Sequence, residues 1–97
     1  MQEGEDFYAT GKARRHMWDA HRVTWEEVCD ALEEEEPPVH ETRSRMGEAR
    51  YVAHVQTSGG RALMVVLAEE ADGMMRAITA MEPRGRKQKR RFGRSRR

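Results

Sequence analysis

The sequence predicts a small α+β domain with two N-terminal helices packed on an antiparallel meander sheet of three to four strands, followed by a basic C-terminal tail. Two observations support this fold class. Residues 49–57, 61–68 and 74–80 are three strand-like segments, and the SGG and EEADG runs between them favour tight turns. Residues 24–32 have the apolar spacing of a helix. A chain of 97 residues has room for one such domain, which we place at residues 11–82.

The ten residues before this domain, 1–10, are predicted to form an N-terminal arm or a short edge strand, with DFYAT as the candidate strand. Ala13, Met17 and either Ala20 or His21 then recur at the spacing of a helical turn. We therefore predict a first helix over residues 11–21.

A capping box marks the start of the second helix. Thr24 precedes Glu27 by three residues, a spacing at which each side chain accepts a hydrogen bond from the backbone N–H of the other residue. Val23 and Val28 stand at the positions of a hydrophobic staple around this start. We expect one apolar stripe of the helix to face the sheet, formed by Trp25, Val28, Cys29 and Leu32. Prolines 37 and 38 end the helix, and the polar residues 39–48 are predicted to form a loop.

The three strands differ in the faces that they present. In the first strand, positions 51, 53 and 55 form an apolar face and the alternate positions form a largely polar one, which predicts a half-exposed strand. The second strand is apolar on both sides, as is typical of a central strand covered on two faces. In the third strand Arg76 shares a face with Met74 and Ile78, and the sequence leaves open whether that face meets the helices.

Charge is divided sharply along the chain. The formal total is +1, but residues 1–83 hold nine basic and 17 acidic residues, a balance of 9 − 17 = −8. Residues 84–97 hold nine basic residues and no acidic one. Because like charges repel each other, we predict that residues 83–97 form a flexible basic tail that contacts a partner.

The sequence shows neither a membrane segment nor a metal-binding pattern. No apolar run approaches the roughly 18 residues of a membrane span, and no secretory signal is present, so we expect a cytoplasmic protein. Cys29 is the only cysteine, and His16, His21 and His40 lack the spacing of zinc ligands. We therefore expect no metal and no other cofactor.

Three segments, in order along the chain, resemble a known family. They are HRVTWEEVCDAL at 21–32, GEARYVAHVQTSGGRALMVVLAEE at 47–70 and MMRAITA at 74–80. Together they resemble the BrnT-type ribonuclease toxins of the RelE-like superfamily, which belong to bacterial toxin–antitoxin systems. This resemblance implies a small α+β fold whose sheet presents basic residues to RNA, and a cognate antitoxin that covers that surface. A sister group of small domains of unknown activity fits ARRHMWDAHRVTWEEV about as well.

The resemblance places basic strand positions of the family at Arg50, Arg61 and Arg76. It weakens after the third strand. Where the toxins have an arginine there and later a glutamate and a tyrosine, this chain has Met81, and its tail has only Phe92 as an aromatic residue. The departure bears on catalysis more than on the fold.

The chemistry of RNA cleavage selects candidates among these residues. Attack by the 2′-hydroxyl needs a proton acceptor, a cation beside the phosphorane and a proton donor for the leaving oxygen. Arg50 and Arg76 can supply the cation, because a guanidinium binds phosphate oxygens in bidentate fashion. His54 lies on the same strand face as Arg50, and an ordinary histidine pKa of about 6.5 suits acid–base work. The predicted catalytic residues are Arg50, His54 and Arg76.

Further RNA contacts are predicted at Arg61, which opens the second strand, and in the basic tail. If about six tail charges neutralise phosphates of single-stranded RNA, log affinity falls against log salt concentration with a slope of about −4. The predicted tail contacts are Arg84, Arg86, Lys87, Lys89, Arg90 and Arg91.

Each candidate also has an ordinary structural interpretation. The strand arginines can pair with nearby glutamates such as Glu41, Glu48 or Glu82, and His54 can be a half-exposed strand residue. The tail can fold back on the acidic run at residues 33–36. Two functions therefore stay open. One is an RNA-cleaving toxin held in check by an antitoxin, and the other is a noncatalytic RNA- or protein-binding module of the same fold that uses the basic tail.

Overall fold

We obtained a computed structural model of the protein in which residues 1–96 are described; Arg97, the last residue of the predicted tail, lies outside the described residues. The strands are β1 (Phe7–Tyr8), β2 (Val39–Arg43), β3 (Ala49–Gln56), β4 (Ala62–Glu69) and β5 (Met75–Met81), and the helices are α1 (Gly11–His21), α2 (Trp25–Leu32) and α3 (Gly85–Ser95). One sheet has the order β1-β5-β4-β3-β2. β1 runs parallel to β5, and the other neighbours are antiparallel. The architecture is α+β, as predicted, with five strands instead of three to four.

The first two helices form where their sequence signals lie. The hydroxyl of Thr10 accepts a hydrogen bond of 3.1 Å from the backbone N–H of Ala13 at the start of α1. Arg22 ends this helix in the left-handed conformation, with φ of 53°. At the start of α2, the Thr24 hydroxyl accepts from the N–H of Glu27 at 3.1 Å, and the Glu27 carboxylate accepts from the N–H of Thr24 at 3.0 Å. The predicted capping box is confirmed.

The main core lies between α1 and α2 on one side and one face of the sheet on the other; we call this face the helix face. Val28 and Leu32 of α2 are fully buried, and Trp25 is 9% exposed, so the predicted stripe does face the sheet. The sheet contributes Ala53, Val55, Leu63, Val65, Leu67, Ala77 and Ala80 to this core.

The pairing of β5, which contains a β-bulge, shows on which face of the sheet Arg76 lies, a question that the sequence left open. Successive β4 residues pair with Ala77 and then with Thr79, which leaves Ile78 without a partner. Before the bulge Ala77 faces the helices, so Arg76 lies on the opposite face. After it the alternation is shifted by one residue, and Ala80 is again fully buried on the helix face.

Residues 39–48 were predicted to form a loop, but they contain strand β2. This strand pairs antiparallel with β3, from Val39 opposite Ala53 to Arg43 opposite Ala49. It is an edge strand in which four of five residues are exposed, so it lacks the alternating apolar pattern by which strands are recognised.

Helix α3 forms where the sequence predicts a flexible tail. It packs on the sheet face opposite α1 and α2, which we call the α3 face. Phe92, only 8% exposed, contacts Val52 and Met64 there. Arg96, next to the helix end, donates hydrogen bonds of 2.7 and 2.8 Å to the carboxylate of Glu34. Repulsion between like charges disfavours α3 in isolation, and these tertiary contacts with an acidic body offset it.

The molecule therefore has three layers, with the sheet between α1 and α2 on one side and α3 on the other. β4 is the central strand and is covered on both faces, as predicted. Its odd positions lie under α1 and α2, and Met64 lies under α3. In the described part of the chain, no helix has the length and apolar character needed to cross a membrane.

Candidate functional site

Arg50 and Arg76 lie in one row across the α3 face. The register of β3 against β4 places Arg50 across from Ala68, and Ala68 pairs with Arg76. Tyr8 of β1 lies beyond Arg76. Neighbouring strands are about 4.8 Å apart, so the two arginine backbones are roughly 10 Å apart. We call these four residues the arginine row; it unites two of the three predicted catalytic residues.

Each arginine of the row has a carboxylate partner. Arg50 donates to Glu48 at 3.1 Å and to the carbonyl of Ala49 at 3.0 Å. The Arg50 side chain is thus held near the start of its own strand, which fits its structural interpretation. Arg76 donates from Nε to Glu70 at 3.2 Å, while its two terminal nitrogens make no hydrogen bond within residues 1–96. Arg76 therefore keeps donors for an anion.

Tyr8 and Glu70 complete a cluster around Arg76, and neither residue was predicted from the sequence. The Tyr8 hydroxyl donates to the same Glu70 oxygen that accepts from Arg76. This hydrogen bond is the main cause of the raised pKa of Tyr8. The only sequence signal was the DFYAT edge strand, because the parallel pairing that brings residue 8 beside residue 76 leaves no local pattern.

His54 lies away from the arginine row. It is four residues from Arg50 along β3, about 13 Å at the usual rise of a strand. Its side chain is fully buried, with Phe92 edge-on to its ring and His40 beside it. A phosphate bound at Arg50 therefore has no access to this imidazole. The prediction that His54 is catalytic is not supported, because α3 and β2 cover it.

The surroundings of His54 keep it neutral. Its Nε2 lies 2.7 Å from Nδ1 of His40, a hydrogen-bonded pair of imidazoles. Its own Nδ1 is buried without a partner in residues 1–96. Burial, and then the neighbouring His40, Arg91 and Arg96, lower the pKa of His54 to about 4. Burial also lowers the pKa of His40, as does the charge of Arg91. A proton added here would meet no carboxylate, since Glu34 is engaged by Arg96.

Arg61 is not part of the arginine row. Its guanidinium donates to Glu27 of α2 at 2.8 Å, to Glu82 after β5 at 2.7 Å and to the carbonyl of Arg22 at 3.1 Å. The hydrogen bond with Glu27, more than the one with Glu82, raises the pKa of Arg61. All three nitrogens of the guanidinium are occupied, so the structure favours a role in joining α2 to the end of the sheet over the predicted RNA contact.

Helix α3 presents two different sides. The residues that are not fully exposed recur at helical spacing and form the side toward the sheet; they are Gln88, Phe92, Ser95 and Arg96. The basic residues on the remaining surface are all exposed, and they comprise Arg84 at the cap, Arg86, Lys87, Lys89, Arg90, Arg91 and Arg94. The six predicted tail contacts are among them. The helical spacing of Gln88, Phe92 and Ser95 was the sequence signal that α3 packs on the sheet, although the many basic residues around them obscured this signal.

The described residues give little support to metal-dependent chemistry or to catalysis by a thiol. No three His, Cys, Asp or Glu side chains among residues 1–96 are grouped so that they could hold a metal ion. Burial raises the pKa of the Cys29 thiol to about 12, so this residue stays protonated and is a poor nucleophile.

The chain matches no model of a protein family and none of the curated proteins, so the resemblance to the BrnT-type toxins depends on the sequence segments alone.

Proposed function

We propose that the protein binds RNA through its α3 face. The observation that carries this proposal is the outer side of α3, where every basic residue from Arg84 to Arg94 is exposed. No acidic residue occurs in this part of the chain. A rigid array of cations matches the regular negative charge of a nucleic-acid backbone, and release of counterions supplies most of the affinity.

The arginine row extends this basic surface across the sheet. Val52, which contacts Phe92 of α3, is two residues from Arg50 along β3, about 7 Å. Arg76, at the far end of the row, has terminal nitrogens free for a phosphate. The rest of the body is acidic, so its field favours RNA bound on this face over RNA bound elsewhere.

The salt dependence of RNA affinity tests the proposal. Fluorescence anisotropy with a labelled single-stranded RNA should give a slope of log affinity against log salt of about −4 for six phosphate contacts. Replacing Lys87, Arg90 and Arg94 with alanine should reduce the magnitude of this slope by about 2. The matched control replaces Arg15, Arg43 and Arg45, which are exposed and lie outside α3. A slope near zero for the wild-type protein, or equal losses in both triple variants, would exclude binding through α3.

A second function, cleavage of the bound RNA, is favoured by the cluster of Tyr8, Glu70 and Arg76. Glu70 accepts the proton of the 2′-hydroxyl, whose oxygen then attacks the adjacent phosphorus. Arg76, whose terminal nitrogens are free, stabilises the negative charge on the phosphorane. Tyr8 gives its proton to the departing 5′-oxygen, and its hydrogen bond with Glu70 returns the proton taken at the start. The products are a 2′,3′-cyclic phosphate and a 5′-hydroxyl end.

For this second function, the resemblance to BrnT-type toxins suggests a biological role. The protein would be the toxin of a toxin–antitoxin pair in the cytoplasm, with an antitoxin that covers the α3 face as its partner. A neighbouring reading frame that encodes a short DNA-binding protein, and co-purification of the two products, would support this role. If expression of the chain alone does not harm cells, although the purified protein binds RNA, the noncatalytic module is favoured.

A further inference from the structure

A cavity of about 280 Å³ lies between the first turns of α1 and strand β5. Its lining residues are Thr10, Lys12, Ala13, His16, Arg76 and Ile78. Lys12 and His16 are four residues apart, so both project from the same side of α1. The volume is near the lower limit of roughly 300 Å³ for sites that hold small molecules.

The charge of this cavity differs from that of the body around it. Three lining residues, Lys12, His16 and Arg76, have basic side chains, and none of the lining residues is acidic. Residues 1–83 as a whole carry a net charge of −8. Lys12 makes no ion pair or side-chain hydrogen bond within residues 1–96. Arg76 pairs through Nε with Glu70, which lies outside the lining, and its terminal nitrogens are free within the same residues. The cavity therefore favours an anionic group.

Two of the other three lining residues are apolar, and the third, Thr10, uses its hydroxyl as the cap of α1. Ala13 lies on the α1 side and Ile78 on the β5 side. Ile78 is the bulge residue, which has no partner on β4 and is only half-buried. An inorganic phosphate would use the basic side chains and leave the apolar ones in water. A nucleotide uses both, because its base or ribose covers apolar surface while its phosphate meets the cations.

We infer that this cavity binds one nucleotide of single-stranded RNA, with the phosphate between Lys12 and Arg76 and the base against Ala13 and Ile78. The inference rests on the proposed RNA-binding function. Arg76 belongs both to the cavity and to the arginine row, so a strand bound along α3 and the row leads to this position. A single strand is required, because a base enters a cavity only when it is free of its pairing partner.

Nuclear magnetic resonance tests the site with three probes: adenosine monophosphate, adenosine and inorganic phosphate. The monophosphate should shift the backbone amides of Lys12, Ala13, His16 and Ile78. Its affinity should exceed that of either fragment by roughly tenfold, since only the whole nucleotide contacts both parts of the lining. Shifts confined to α3, or equal affinity for inorganic phosphate, would overturn the nucleotide assignment.

A charge-matched pair of variants separates this inference from the proposed function. Lys12→Ala should weaken binding of adenosine monophosphate by roughly fivefold to tenfold, whereas Arg15→Ala, an exposed change on the same helix outside the cavity, should change it less than about twofold. If wild-type protein binds RNA but the two variants behave alike with the monophosphate, the inference alone is wrong. If wild-type protein binds the monophosphate in this cavity but does not bind RNA, the proposed function is wrong, and RNA is excluded as the source of the nucleotide.

Discussion

The ring of Phe92 in α3 meets the imidazole of His54 edge-on, with 5.6 Å between the ring centroids. Phe92 is the only large apolar side chain of α3, and His54 is the one polar residue fully buried on the face below it. Arg96 adds a 2.8 Å hydrogen bond to the carbonyl of His54. Docking of the basic helix and the neutral state of this histidine therefore depend on the same contacts.

Phe92→Ala should release α3 from the sheet. The change removes most of the apolar surface that the helix buries, which costs about 3 kcal/mol at a typical buried phenylalanine. Hydrogen exchange of the amides in residues 85–95 should rise by about a hundredfold, while the amides of α2 and β4 stay protected. Arg94→Ala on the outer side of α3 is the control and should leave exchange unchanged. Unaltered protection of α3 in the Phe92 variant would show that charge pairing alone holds the helix.

Stability should fall as the solution is acidified between pH 6.5 and 4. The ordinary histidine pKa is 6.5, and the folded protein lowers that of His54 to about 4, so the unfolded chain binds more protons in this window. The contribution is complete above pH 6.5 and lost as pH falls to about 4, with an upper limit of roughly 3 kcal/mol. Arg96 lowers the pKa of Glu34, so loss of that ion pair begins only below its ordinary value of 4.5.

Urea denaturation at several pH values measures this dependence. His54→Gln removes the titrating imidazole and should flatten the decline between pH 6.5 and 4. The exposed His16→Gln is the control and should keep the wild-type decline. An identical decline in wild type and the His54 variant would assign the effect to other groups.

Arg76→Ala should greatly slow RNA cleavage while the protein stays folded. The half-exposed guanidinium contributes little to the core, but loss of a cation beside the phosphorane costs about a hundredfold to a thousandfold in rate. Glu70→Gln, which keeps the shape of the side chain and removes the proton acceptor, should give a similar loss. Gel analysis of a labelled RNA measures both, with circular dichroism as the test of folding. Arg43→Ala on the edge strand is the control, and full activity of the Glu70 variant would remove that residue from the mechanism.

Arg61→Ala should reduce stability without altering RNA affinity. The guanidinium is half-buried between Glu27 and Glu82, and its removal leaves both carboxylates without their cation. We expect a loss of about 1 to 2 kcal/mol in the free energy of unfolding, somewhat more than for an exposed ion pair. Arg45→Ala, an exposed change, should have no effect on stability. A weaker affinity for RNA with unchanged stability would restore Arg61 to the RNA contacts predicted from the sequence.

Elements with strong local signals could be predicted from the sequence. The capping box placed the start of α2, and the apolar pattern on both faces of β4 placed that strand at the centre of the sheet. β2 could not be predicted in this way, because an exposed edge strand has no alternation of apolar and polar residues. The bulge at Ile78 depends on how β5 pairs with β4, and no local residue pattern indicates it.

The candidate site shows the same division. Arg50 and Arg76 share a face, but the exposure expected of His54 depended on two segments interpreted as a loop and a flexible tail. Those segments form β2 and α3, which supply the covering His40 and Phe92. Tyr8 and Glu70 are distant from Arg76 in the sequence or lie beyond a strand end, so only the pairing of β1 and β4 with β5 brings them together.

The unpaired Ile78 determines to which side of the sheet the residues at the two ends of β5 project. In an unbroken strand, residues 76 and 80 would project in the same direction, so either a guanidinium would enter the interior or a methyl group would be lost from it. One additional residue removes this conflict. The strand of seven residues can then direct Arg76 toward solvent at one end and Ala80 into the interior at the other. A related chain without that residue would need an apolar amino acid in place of Arg76 or a polar one in place of Ala80.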